Sequence, residues 1–160
     1  MKAHDTNPIV VGIDGSPAAD HALRWALDEG IIRGCPVHVV NAWDYEPLAD
    51  WSQTAAKTAL TRSKALVEES LRAAAVWRLD SPVIVRRSLR GDAPSVLADA
   101  ARGSALLVVG SHAGHPVRDL VLGSTSTQCL LHASVPVVMI PVKAAHATPA
   151  LDVDHAADHG

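Results

Sequence analysis

The stretch Ser104 to Thr127, SALLVVGSHAGHPVRDLVLGSTST, organises the reading of this chain. Ala105 to Val109 is a short continuous apolar run, β-branched towards its end and stopped at Gly110. Such a run predicts a buried strand of a parallel sheet. A loop with glycine at 110, 114 and 123 follows, and Ser124, Thr125, Ser126 and Thr127 then open a segment rich in hydroxyls suited to helix capping. A strand ending in glycine, a loop and a Gly-Ser step into a helix form a candidate phosphate cradle. Glycine lets backbone N–H groups approach an anion closely, and a helix start offers unpaired donors with partial positive charge. The same pattern also describes a plain βα turn.

Upstream, Pro8 to Ile13 is a first apolar run followed by Asp14-Gly15-Ser16-Pro17. Ser16 suits an N-cap and Pro17 the first helical position. Ala22, Leu23, Ala26, Leu27 and Ile31 recur at helical spacing, with Gly30 and Gly34 as candidate stops and Gly34 the better C-cap. Pro36 to Trp43 reads as the second strand, followed by a loop over 44–50. The stretch from Trp51 to Leu79 lacks Gly and Pro and predicts a long second helix. Its inward face is Ala55, Ala56, Ala59, Leu60, Ser63, Leu66, Val67, Leu71 and Ala74. Glu68, Arg72 and Asp80 read as solvated surface charge.

Pro82 to Leu89 is a third strand whose alternation of Val83 and Val85 with Arg86 and Arg87 suits a sheet edge. Asp92 is the expected cap of a third helix with Val96, Leu97, Ala100 and Ala101 inward. Downstream of the central stretch, a fourth helix runs from Ser124 to His132 and a fifth strand from Val135 to Pro141. The prolines at both ends of that strand suit an edge or an interface. The order β-α-β-α-β-α-β-α-β predicts a doubly wound parallel α/β sheet. Ligands of such sheets sit outside the carboxyl ends of the strands. Here those ends carry Asp14-Gly15-Ser16, Asn41-Ala42-Trp43 and the loop from Gly110.

Composition narrows the function classes. The chain has 160 residues, 48% hydrophobic and 19% charged, with no Phe, so Ala, Val and Leu fill one core. A net charge of −3 gives no general basic field for nucleic acid. No apolar run approaches the ~20 residues that span a bilayer, and no signal-peptide layout opens the chain, so the expected location is cytoplasmic. Cys35 and Cys129 match no metal or redox spacing and read as buried thiols. The expected domain covers 7–142, with 1–6 and 143–160 as flexible termini. His146, His155 and His159 in the last segment have no metal-site spacing.

In VVGIDGSPAADHALRWAL, VHVVNAWD, RGDAPSVLADAA, LLVVGSHA and LGSTSTQCLLHASVPVVMIP the chain resembles a universal stress protein, from Ile9 to Pro141. The resemblance implies a five-stranded sheet of order 3-2-1-4-5 with four helices. It also implies homodimers, often formed through the last strand, and ATP binding in one branch. That branch carries Gly, two residues, Gly, nine residues, Gly, then Ser or Thr. Here Gly110 and Gly123-Ser124 keep the overall spacing, but the inner position is Ala113, with glycine displaced to Gly114. If position 113 needs a positive φ, alanine resists it by about 1 kcal/mol or more. Pro116 in the same loop removes a donor.

By this resemblance Asp14 sits near the adenosine and Ala42 offers its backbone to the adenine edge. Gly110, His112 and Gly114 line the phosphates, and Gly123, Ser124, Thr125 and Ser126 close the cradle. Arg118 supplies a further cation. On the residues alone, Asp14 is equally a turn residue bonding its own backbone, and Ser124 and Ser126 are equally plain caps. For His112, His115 and Arg118 the solvated-loop reading is the favoured one. The expected function is an ATP-binding stress-response module, with Mg2+ accompanying the nucleotide and with at most slow hydrolysis. There is no GxxxxGK[ST] run and no paired-carboxylate motif. The alternative is a dimeric interaction protein that does not bind ATP, for which Ala113 and Pro116 speak. A receiver-type or flavin domain is the weaker third reading: Arg86-Arg87-Ser88 stands where a receiver needs an acid, and aromatics are 3% of the chain.

Overall fold

The computed structural model describes residues 7–45, 53–76, 78–111 and 123–142. The elements are β1 (Ile9–Gly12), α1 (Pro17–Arg33), β2 (Val37–Trp43), α2 (Thr54–Ala75), β3 (Ile84–Arg90), α3 (Ala93–Ala100), β4 (Leu106–Ser111), α4 (Ser124–His132) and β5 (Val137–Pro141). The five strands form one sheet of order β3-β2-β1-β4-β5. All four pairings are parallel, with Val11 opposite Val39 on one side of β1 and Val108 on the other. The expected fold is therefore observed, and β3 and β5 are the two edges.

Alternation along the inner strands builds two cores from one sheet. Ile9, Val11, Val37, Val39, Leu106 and Val108 pack under α1 and α2. Val10, Val40, Leu107 and Val109 pack under Leu97 and Ala101 beside α3 and Cys129 of α4. Successive side chains of a strand point to opposite faces, so a sheet covered on both sides needs continuous apolar runs. Both cysteines are buried, and burial pushes the Cys129 thiol above its ordinary pKa.

The helix signals act as expected at α1 and α3. The Ser16 side chain accepts from Ala19 N at 3.2 Å, and Gly34 ends α1 at φ 67°. The Asp92 carboxylate accepts from Ser95 N at 3.1 Å, and its hydrogen bonds with Ser95 hold the acid below its usual pKa. Three readings need correction. Gly30 does not stop α1. It lies inside the helix because β2 packs there too closely for a side chain: a Cβ would stand 2.6 Å from Val37 Cγ2, and 3.2 Å from both Cys35 O and Pro82. Helix α2 is shorter than the Gly- and Pro-free stretch, since absence of breakers permits a helix but packing decides its extent; Trp51 lies outside the described residues. Its deeply buried side chains are Ser63, Val67, Ser70, Leu71 and Ala74, with Ala55, Ala56, Ala59 and Leu60 only partly covered. Glu68 is not merely solvated: it meets Arg86 across the α2–β3 gap at 2.6 Å.

Gly30→Ala gains about 1 kcal/mol of helix propensity, but overpacking against Val37 costs about 1–3 kcal/mol. The expected net result is a less stable protein, read as a lower urea midpoint with an unchanged m-value.

Candidate nucleotide site

The sheet order reverses between β1 and β4, so the crevice of this fold lies at their carboxyl ends. On the β1 side the chain turns through Asp14 and Gly15 into α1. Asp14 is exposed, and its Oδ1 accepts from Ser16 N at 2.9 Å. Gly15 sits at φ 80°, a conformation that side chains resist. The turn role foreseen for Asp14 is thus present, and its exposure leaves the carboxylate at the rim of the crevice.

On the β4 side Gly110 is the joint. A Cβ there would stand 2.5 Å from the carbonyl carbon of Ala18 and 2.6 Å from its oxygen. Those are backbone atoms that cannot swing away. The Gly110 carbonyl in turn accepts from Ser126 Oγ of α4 at 3.0 Å. The first turns of α1 and α4 therefore meet at one residue of β4. Glycine is required at 110 by helix α1, a structural demand that exists before any ligand.

Helix α4 starts at Gly123, whose φ of −58° any residue can adopt. No side chain caps it among the described residues. This corrects the expectation of capping hydroxyls. Ser126 is buried and turns its hydroxyl back to Gly110, while Thr127 Oγ1 donates to Gly123 O at 3.1 Å. The first intrahelical bond is Thr127 N to Gly123 O at 3.0 Å. The N–H groups of Ser124, Thr125 and Ser126 precede it and have no partner among the described residues.

Ala42 lies two residues past Val40, the last residue of β2 in register with β1, and it is half-buried. The expected positions Asp14, Ala42, Gly110, Gly123, Ser124, Thr125 and Ser126 are thus all near carboxyl strand ends or the α4 start. His112 and Gly114 lie outside the described residues, as do Ala113, His115, Pro116 and Arg118.

One part of the scaffold escaped the sequence reading. Asn41 is buried in β2; its Nδ2 donates to Ile13 O at 2.8 Å, and its Oδ1 accepts from Ser63 Oγ at 2.6 Å. This chain of bonds ties the end of β1 to α2 and sets where the Asp14 turn begins. The signal was a lone amide within the apolar run VHVVNAW, together with a serine on the inward face of α2. Beyond it, Trp43 stacks on Tyr45 with centroids 6.5 Å apart, and Arg90 lies 4.4 Å above the Tyr45 ring.

A doubly wound parallel sheet of order β3-β2-β1-β4-β5, covered by helices on both faces, defines a class of small α/β domains. Within that class the chain belongs to the universal stress protein family, whose sequence profile matches residues 6–141. Universal stress protein Rv2028c of Mycobacterium tuberculosis is 36% identical over 142 residues, covering 87% of this chain and 50% of that protein. The chain spans about half the length of the curated relatives it matches. Among solved structures, a universal stress protein in complex with cAMP shares the fold at TM-score 0.67 and 19% identity, over 84% of this chain and 96% of that one. The Archaeoglobus fulgidus universal stress protein in complex with dAMP matches at TM-score 0.55 and 24% identity, over 84% and 97%.

Replacing Asn41 with Leu strands the Ile13 carbonyl and the Ser63 hydroxyl, at a cost of about 2–4 kcal/mol. Chemical denaturation is expected to show this loss, and the double change Asn41→Leu with Ser63→Ala to recover part of it.

Proposed function

We propose that this chain is an adenine-nucleotide-binding stress-response module of the cytoplasm, with ATP, accompanied by Mg2+, as its ligand. The observation that carries the reading is the start of α4, where three successive backbone N–H groups stand uncapped among the described residues, beside the β4 switch point. Such a helix start favours a phosphate by unpaired donors and by the helix dipole. The two solved relatives in complex with cAMP and dAMP support an adenine nucleotide as the class.

In this reading Ser124 and Thr125 offer N–H and hydroxyl donors to phosphate. Ser126 offers only its N–H, because its hydroxyl is held by Gly110. Asp14 accepts from ribose hydroxyls, Ala42 meets the adenine edge through its backbone, and Gly110, His112, Gly114 and Gly123 complete the phosphate wall. The bound nucleotide brings its own charge, and Mg2+ neutralises part of it. Hydrolysis is at most slow, since the chain has no lysine-bearing phosphate loop.

Isothermal titration of nucleotide-stripped protein with Mg-ATP tests the reading. Saturable binding is expected, lost in Gly123→Val, with a rise in melting temperature. At 100 times Kd the stabilisation is about 2.7 kcal/mol. Absence of heat and of thermal shift at millimolar ATP, cAMP and AMP overturns it in favour of an interaction protein that binds no nucleotide.

We also propose a homodimer through β5. This strand is a sheet edge with Val137, Val138, Met139 and Ile140 only partly covered, and Leu131 of the neighbouring α4 is 75% exposed. An apolar edge of this kind calls for a partner. Sedimentation equilibrium is expected to give twice the chain mass of 16.8 kDa, and Ile140→Lys to give the monomer.

A further inference from the structure

Among the described residues β3 is an edge of the sheet, and its outer side can take a further strand. Parallel pairing turns alternate residues of β3 towards β2. Val83 O accepts from Val37 N at 2.8 Å at one end of the pairing, and Gly91 N donates to Trp43 O at 2.9 Å at the other. Odd-numbered residues therefore face β2 with their N–H and C=O groups, and Ile84, Arg86, Ser88 and Arg90 turn theirs to the outer edge.

The two faces of this edge differ in chemistry. On the α2 side stand Arg86 and Arg90, with side chains 50% and 54% exposed. On the α3 side stand Val85, 38% exposed, and Leu89, with Arg87 between them. Arg86, Arg87 and Arg90 set the edge against the same edge of a second copy, because like charges across a strand pair oppose one another. The strand that fits is one whose alternation is acidic on one face and apolar on the other.

The chain itself carries that alternation in Leu151-Asp152-Val153-Asp154, which lies outside the described residues. Strand β5 ends at Pro141, at the same carboxyl end of the sheet as Arg90. A place beyond β3 is five strand spacings from β5, about 24 Å. Residues 142–150 can span about 30 Å, and a segment arriving at that end runs antiparallel to β3. We propose that residues 150–156 of this chain add to β3 as a sixth, antiparallel strand. With Leu151 opposite Leu89, Asp152 stands opposite Ser88 and diagonal to Arg86 and Arg90, and Asp154 stands opposite Arg86. Leu151 and Val153 then extend the apolar face of Val85 and Leu89, while two carboxylates meet two guanidinium groups. The outward N–H and C=O groups of Arg86 and Ser88 gain backbone partners, as in recognition of an extended peptide by a sheet edge. The segment 143–160, expected from its sequence to be a flexible terminus, is on this reading held over 150–156.

Amide hydrogen exchange of the full chain, followed residue by residue by NMR, tests the proposal. The amides of Arg86 and Ser88 point to the outer edge, so only an added strand protects them by a backbone bond. Asp152→Lys with Asp154→Lys is expected to speed their exchange about tenfold or more. The amides of Val10 and Val11 in β1 are expected to keep their protection and so report that the fold is intact. Leu151→Ser with Val153→Ser is expected to have the same effect as the charge reversal, because it removes the other face of the match. Cross-strand contacts between Leu151 and Leu89 in the unaltered chain support the register. Fast exchange at Arg86 and Ser88 in the unaltered chain overturns the proposal, as does protection indifferent to either pair of variants. Protection that falls on dilution also overturns it, since the added strand then comes from a second copy.

Discussion

The close contact between Gly110 and the Ala18 carbonyl is the constraint on which the switch-point geometry depends. Strand β4 can carry no side chain there, so α1 settles directly against it. The same residue's carbonyl holds Ser126 and so sets the start of α4. One peptide unit thus relates two helix starts to the centre of the sheet. Backbone-to-backbone packing of this kind has no rotamer by which to relax, which makes the arrangement stiff.

Around that joint the polar atoms fall into two groups. Asn41, Ser63 and the Ile13 carbonyl satisfy one another in the interior, as buried polar groups must. Among the described residues, the α4 start leaves its first donors uncapped. A hydroxyl cap would have been available in the sequence SxST, but Ser126 is spent on Gly110 and Thr127 on the Gly123 carbonyl. The contrast between a closed network and an open helix start, only a strand apart in the sheet, is what distinguishes scaffold from candidate site.

Membership of the universal stress protein family accounts for the architecture. A shared sheet does not by itself assign a ligand. The functional proposal therefore rests on the α4 start and on the chemistry of the relatives' ligands.

Much of the fold is legible in the residues. Continuous apolar runs mark strands buried on both faces, Ser16-Pro17 and Asp92 mark helix starts, Gly34 marks an end, and the arginines of β3 mark an edge. These signals are local, because periodicity, capping and φ preference act within a few residues. Of the candidate site, the glycine and hydroxyl positions were visible as types, but their roles were not. Gly30 reads locally as a stop and proves to be a place where β2 presses on α1. Ser126 reads as a cap and proves to be a strap to β4. Asn41, Ser63 and the Gly110–Ala18 contact join residues 22 to 92 positions apart in sequence. Only the packed sheet decides such partners, because the atoms that set each role belong to elements the local pattern does not contain.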